Sequence, residues 1–546
     1  MKPNYTNIFI LILGLAFVNY VGSKVYLRFD LTEDRRYTLS DPAKKILQES
    51  DDIIQVKVYL KGNFPSDFKR LQLETELFLK QLKSVNKKVH FRFIDPSDIV
   101  DELIDNGLEP SRLQIEENGS YSEIFIFPWA VINYKDKTEK VHLLKDIIAN
   151  SPDEQIQKSI QNLEYSFVNA IHKLISKRSN KIAILKGNGE LEDIYLADIL
   201  RKLGEYYYTA PYTLDSIDKN KEGSLKELIH YDMVIVAKPT KKFSENEKYL
   251  LDQYIMNGGK SLWLIDNVHA ELDSLMETGE AMAVSRDLGL TDLFFNYGVR
   301  INYDLITDLY SSQITLATGN VGNNPQFDQF PWKFFPLISS KNNHPINTNI
   351  EMVQARFSNS IDLLKNRIKK TVLLQSSSQS KPIGIPSIIS LNSIGQKPLA
   401  TDFNNGNKPI AVLLEGQLKS AYSGRIKPFK IDSNIDLSEE TKMVVISDGD
   451  IIANEISQGK PLELGLEKWT NQKFGNKEFI LNTVNYLLDD TGLMNIRSKK
   501  IKIDFLDRNK SFNQAGKWQL INIVLPLVLL ALFGFIFNFL RSKRYQ

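Results

Sequence analysis

Cysteine is absent from the 546 residues, which excludes disulfides, a thiolate nucleophile and Cys-ligated zinc or iron–sulfur clusters. Histidine is scarce. His90, His142, His172, His230, His269 and His344 are scattered, without the H-x-H or H-E-x-x-H spacing of a metal site. No G-x-S-x-G elbow occurs, so covalent catalysis has no evident nucleophile. A surplus of charge is missing as well, with 68 basic residues against 66 acidic ones. Setting aside Lys2, Arg541, Lys543 and Arg544 in the end segments, acidic residues slightly outnumber basic ones, which leaves no footprint for nucleic acid. The remaining composition, 42% hydrophobic and 25% charged, is that of a folded protein with room for two or three domains.

Apolar residues concentrate at both ends. The run 520–540 (LINIVLPLVLLALFGFIFNFL) carries no charge over a length that crosses about 30 Å of hydrocarbon. The run 8–21 (IFILILGLAFVNYV) is shorter, and extends through Tyr26 and Leu27 if Lys24 snorkels. No clean small-x-small cleavage site precedes Lys24 and Arg28, so it reads as an uncleaved anchor. Arg541, Lys543 and Arg544 place the C-terminal end in the cytoplasm, whereas Lys2 competes with Lys24 and Arg28 at the other end. Two spans then put the middle on the periplasmic side. In the last span, Asn522, Pro526 and Asn538 are polar or kinking positions that can face partner helices. The expected division is an anchor at 1–27, a first α/β domain at 28–178 and a larger one at 179–495. A juxtamembrane stretch at 496–519, a span at 520–540 and a cytoplasmic tail at 541–546 complete it.

Within the first domain, Ser40 caps a helix opened by Asp41 and Pro42. The pattern then predicts a strand at 53–60, a helix at 66–84, a strand at 89–94 and a short helix at 99–106. Paired strands at 123–134 and 138–143 follow, then an amphipathic helix at 153–176 with the stripe Ile156, Ile160, Leu163, Phe167, Ile171 and Leu174. This order, β-α-β-α-β-β-α, is that of a thioredoxin-like domain, without redox chemistry because KGNFPSDF stands where a C-x-x-C would be. After a boundary at 177–181, the short apolar strand 182–185 reads as a buried parallel strand of a doubly wound sheet. Strands at 233–237 and 261–265 repeat the pattern around a helix at 244–256 capped by Ser244. Later strands fall at 411–414 and 443–446, with a helix at 476–488. Two stretches, 311–350 and 375–407, are rich in Ser, Asn, Gly and Pro and read as long surface excursions.

Chemistry is sparse in this frame. The tetrapeptide GGKS at 258–261 is no phosphate loop, because Tyr254 occupies the required glycine position and a strand follows rather than precedes it. Gly187, Asn188, Gly189 and Glu190 form a turn at a strand's carboxyl end, where open α/β sheets bind ligands, but the third glycine of a dinucleotide fingerprint is missing. Asp448 and Asp450 flank Gly449 after another strand. Two such carboxylates can hold a divalent cation, yet the calcium-loop continuation is missing and an Asx-turn is the plainer reading. These residues make up the candidate ligand or partner site at the sheet edge, with no catalytic residue, cofactor or metal assigned. A second reading, a membrane-tethered hydrolase, would use carboxylates such as Glu190 or Asp448 at the sheet edge.

Several stretches together carry a resemblance: FDLTEDRRYTLS, AILKGNGELED, AKPTKKFSENEKYLLDQYIMNGGKSLWLID, FNYGVRINYDLITD, VVISDGDIIANEI and the WQLIN…LP opening of the last span. In that order they resemble, over nearly the whole chain, the gliding-motility-associated ABC transporter family called GldG, an auxiliary component labelled substrate-binding. The resemblance implies an inner-membrane protein of gliding bacteria, acting with a multi-span ABC permease and a separate cytoplasmic ATPase subunit. It also implies a central domain distantly similar to class I glutamine-amidotransferase-like folds. Those enzymes use a Cys nucleophile absent here, so no catalytic residue carries over. The expectation is a non-catalytic, membrane-anchored auxiliary subunit without a cofactor. The alternative is a structural tether or scaffold of a cell-envelope motility or secretion complex with no small-molecule substrate.

Overall fold

Alternation decides the first sheet: Ile54, Val56 and Val58 are buried while Gln55 is exposed, the pattern of a strand with one face on a core. In the computed structural model, the described residues are 13–17, 19, 30, 32, 38–62, 64–117, 120–145, 152–176, 180–215, 217–322, 324–340, 342–396, 398–431, 434–499, 510 and 513–544. The anchor expected at 8–21 lies outside them apart from 13–17 and 19, which are helical, and so does the middle of the stretch 496–519.

Helix α1 (Asp41–Gln48) begins where the Ser40 hydroxyl accepts the Ala43 N–H, with Pro42 in the first turn. Then come β1 (Ile54–Val58), α2 (Ser66–Val85), β2 (Val89–Phe93), α3 (Val100–Asp105), β3 (Ser111–Glu117), β4 (Ser120–Ile126), β5 (Trp129–Tyr134), β6 (Lys137–His142) and α4 (Pro152–Ile175). The sheet order is β2-β1-β5-β6, with β1 parallel to β2 and antiparallel to β5. Every residue of the α4 stripe is buried against α2 and the sheet. The strand expected at 123–134 is two strands: its first half pairs with β3 as a separate hairpin. Pro128 has no N–H to donate and separates the halves.

The second body opens with β7 (Lys181–Lys186), α5 (Asp193–Gly204), β8 (Tyr208–Thr213), α6 (Lys221–Leu228), β9 (Met233–Ala237), α7 (Glu245–Met256) and β10 (Lys260–Leu264). A long excursion carries the hairpin β11 (Ser311–Val321) and β12 (Asn324–Ile338), then β13 (Lys369–Gln375). The chain returns through β14 (Pro409–Lys419), β15 (Leu437–Ile446) and α8 (Asn476–Leu487). These strands order as β13-β14-β15-β10-β9-β7-β8, with the five from β15 to β8 parallel. Helices cover both faces. Met233, Ile235 and Ala237 pack toward α5 and α8, while Val234 and Val236 pack toward α6 and α7. That two-sided burial is why β9 reads as an unbroken apolar run. A capping box between Ser244 and Glu247 starts α7. The GGKS segment is the turn from α7 into β10, and a Cβ at Gly259 would lie 2.4 Å from the Tyr254 ring.

The surface excursions expected at 311–350 and 375–407 are corrected. Residues 311–338 form the β11–β12 hairpin, whose Trp332, Phe334 and Phe335 pack with Leu305, Phe357 and Ile389 in a core of their own. Within 375–407, strand Ser380–Gly384 pairs with Asp304–Asp308 and Ser387–Ser390 pairs with Glu280–Ser285. Prolines 325, 331 and 336 disguised the hairpin, because they suit only a strand whose ladder does not need their N–H.

After α8 the chain turns back to the first body. A 3-10 turn, Leu493–Ser498, buries Leu493, Met494 and Ile496 in the core built by α1, α2 and α4. Arg497 reaches the other way, donating to the Thr348 carbonyl at 2.6 Å and to Asn482 at 3.0 Å. The final helix, α9 (Ala515–Arg544), contains the expected run 520–540 and Pro526. Among the described residues it alone is long and apolar enough to cross a membrane.

Candidate functional site

Four parallel strands, β7, β9, β10 and β15, deliver their carboxyl ends to one edge of the sheet, and the order reverses between β7 and β9. That reversal opens the crevice where doubly wound proteins bind ligands. The Gly187–Glu190 turn leaves β7 there. Gly187 and Gly189 have φ of 118° and 73°, a region that other residues enter only with strain. A Cβ at Gly189 would sit 2.1 Å from the Thr240 hydroxyl. The turn is stitched to the loop after β9: the Asn188 carbonyl accepts the N–H groups of Thr240 and Lys241, and Thr240 donates to the Gly189 carbonyl. The Asn188 N–H donates to Glu190 at 2.8 Å. Asn188 Oδ1 and Glu190 Oε1 are buried without a hydrogen-bond partner, and burial raises the Glu190 carboxyl above its ordinary range.

Lys238 follows β9 directly, in the left-handed region at φ 53°. Its ammonium is buried among three carboxylates: Asp450 at 2.7 Å, Glu271 at 3.1 Å and Asp266 at 3.7 Å. Burial alone would lower its pKa, but Asp450, Asp266 and Glu271 outweigh that and hold it raised. Asp266, the farthest of the three, fares differently. Burial pushes it up to about 6, against the attraction of Lys238. It also accepts the Gly449 N–H at 2.6 Å. Gly449 has to be glycine, since a Cβ there would meet Lys238 Cγ at 2.4 Å. Arg286 flanks the cluster, donating to Glu271 at 2.9 Å.

The residues expected to form one site occupy two neighbouring places, with the Lys238–Lys241 loop between them. Asp448 is fully buried and turned into backbone, accepting the N–H groups of Asp450 at 2.9 Å and Arg356 at 2.6 Å. This is the geometry of an Asx-turn opening a 3-10 turn at Gly449–Ile452. Burial first, then the Asp450 and Asp266 charges, raise the Asp448 pKa well above the carboxylate range. Asp450 points to Lys238 instead. The two carboxylates therefore do not converge on a cation, and no group of three or more carboxylates or histidines suited to a metal occurs among the described residues. Sequence reasoning missed Lys238, Asp266, Glu271 and Arg286. A charged residue within two positions of the end of a buried apolar strand, as in MVIVAK and LWLID, is the signal that would have found Lys238 and Asp266.

The ion cluster pairs the charged groups of this edge with one another. Lys238 takes the central position, and its stem lies against Gly449. Chemically the arrangement holds the ends of three strands, β9, β10 and β15, together.

Comparison with known proteins adds the following. Residues 179–483 match a family of ABC transporter auxiliary proteins described as an ABC-type uncharacterized transport system. Residues 33–133 match a domain of unknown function. An uncharacterized protein of Borreliella burgdorferi is 22% identical over 561 residues, covering 100% of both chains. Among solved structures, the mmIFT52 N-terminal domain aligns at 13% identity over 57% of this chain and 99% of its own, with a TM-score of 0.33, too loose a likeness to carry weight.

Proposed function

Because this chain belongs to the ABC transporter auxiliary family, which matches more than half of it, we propose that it is a non-catalytic, membrane-anchored auxiliary subunit of an ABC transporter. It works with a permease and a separate cytoplasmic ATPase in a transporter linked to gliding motility, a reading supported by the GldG-like stretches. Both apolar ends anchor it in the inner membrane, with the folded bodies on the periplasmic side. Support for the anchoring comes from α9, which buries none of its apolar length against the folded bodies. The observation that supports the non-catalytic reading is the Lys238 cluster, in which the charged groups at the ends of β9, β10 and β15 are spent on one another. The first body reads as a thioredoxin-like domain turned to binding, in keeping with the order β2-β1-β5-β6. The second reads as a relative of amidotransferase-like folds, in keeping with its parallel strands.

Extraction of the full-length protein in mild detergent tests this. A permease and an ATPase subunit should co-purify, and the purified chain alone should not hydrolyse ATP. Hydrolysis by the chain alone, or clean isolation with no transporter subunit, would sink the proposal. The internal pairing of these charges also favours a second reading, a tether with no small-molecule substrate. Recovery with envelope proteins and without a permease would support that one.

A further inference from the structure

The two segments that lead to the ends of the chain meet on the folded body. Lys499 Nζ donates to the Thr38 carbonyl at 2.9 Å and to Glu164 Oε2 at 3.0 Å. Glu164 Oε1 accepts the Ser40 N–H at 2.7 Å. Gln161, one turn earlier on α4, donates to the Lys499 carbonyl at 3.0 Å. One largely buried carboxylate thus clasps the segment after the first apolar run to the segment before the last helix. Fully extended, the chain from Thr38 back to Leu27 spans at most about 40 Å, and that from Lys499 to the start of α9 at Ala515 about 60 Å. Two apolar segments tethered to one point have an effective mutual concentration that a separate partner must exceed.

Polar groups match as well. Pro526 stands inside α9 and has no N–H, so the Asn522 carbonyl four residues earlier has no donor within the helix. In hydrocarbon such a group demands a partner. Asn522 lies near the clasp-side end of its apolar run, and Asn19 lies near the clasp-side end of the other. Leu13, Leu15 and Phe17 are exposed, as is the surface of α9.

We propose that the run 8–21 packs antiparallel against α9 in the bilayer, with the Asn19 amide donating to the freed Asn522 carbonyl, so that the protein stands on a single two-helix stalk. This rests on the two-anchor reading above.

The absence of cysteine makes the test clean. In the full-length protein in its native membrane, tagged at the N-terminus, Leu15→Cys and Ala16→Cys, on the helix face of Asn19, are each combined with Leu525→Cys or Leu529→Cys, on the face of Asn522, and oxidised. At least one combination should form a disulfide within a single chain, and adding Asn19→Leu should slow it roughly threefold, the size of a typical interhelical hydrogen bond in a membrane. If the tag is retained and no combination links, the pairing is overturned. Links found only between differently tagged co-expressed copies overturn it in favour of a second copy. Loss of the tag on maturation would overturn the two-anchor reading itself.

Discussion

Lys238 is a buried cation held by three acids, two of them within hydrogen-bonding distance. Buried pairs of this kind add little over an apolar substitute, but removing one member leaves unpaired charge and costs about 3–5 kcal/mol. Lys238→Met should therefore lower unfolding stability by about 3–5 kcal/mol at pH 7.5, measured by urea titration. The pH dependence follows from Asp266. Its folded value of about 6 exceeds the ordinary value of about 4, so the folded state holds that proton where the unfolded chain has lost it. Its contribution is fully present below about pH 4 and fades as the pH rises through about 6. The Lys238→Met deficit should accordingly shrink at pH 5, where Asp266 can be neutralised. An unchanged deficit would mean that the carboxylate is not the source of the cost.

Elements differ in how openly the chain announces them. The strand β9 and the stripe of α4 are legible because burial on both faces, or on one helical face, leaves a regular apolar pattern. So is α7, through its Ser244 and Glu247 capping box. Ser244→Ala should cost about 1 kcal/mol of stability, and an effect near zero would mean that the cap is redundant. By contrast β8, with the sequence YTAPYT, has one buried residue and lies at the sheet edge, so no periodicity marks it. The β11–β12 hairpin was masked by its prolines. The candidate site was half legible. Asp448 and Asp450 stood out by spacing, but the partner of Asp450 is Lys238, which lies 212 residues away in sequence. Only the return of β15 beside β10 brings the two together, and no local pattern encodes that.

At the scale of the molecule, the two bodies are joined through the turn at Leu493–Ser498. Arg497 spans the junction, with its guanidinium 4.8 Å from the Tyr165 ring on one side and hydrogen-bonded to Thr348 and Asn482 on the other. Arg497→Ala removes two charge-assisted hydrogen bonds and should cost roughly 2–4 kcal/mol. Limited proteolysis between the bodies should accelerate in step, and an unchanged cleavage rate would argue that the junction is held elsewhere.

The same turn sets an order on biosynthesis. Leu493, Met494 and Ile496 complete a core whose other members lie between Leu39 and Leu174. A ribosome must translate the whole second body before it supplies them. The body made first is thus the one finished last, and until then it offers an open apolar slot to chaperones or to misfolding.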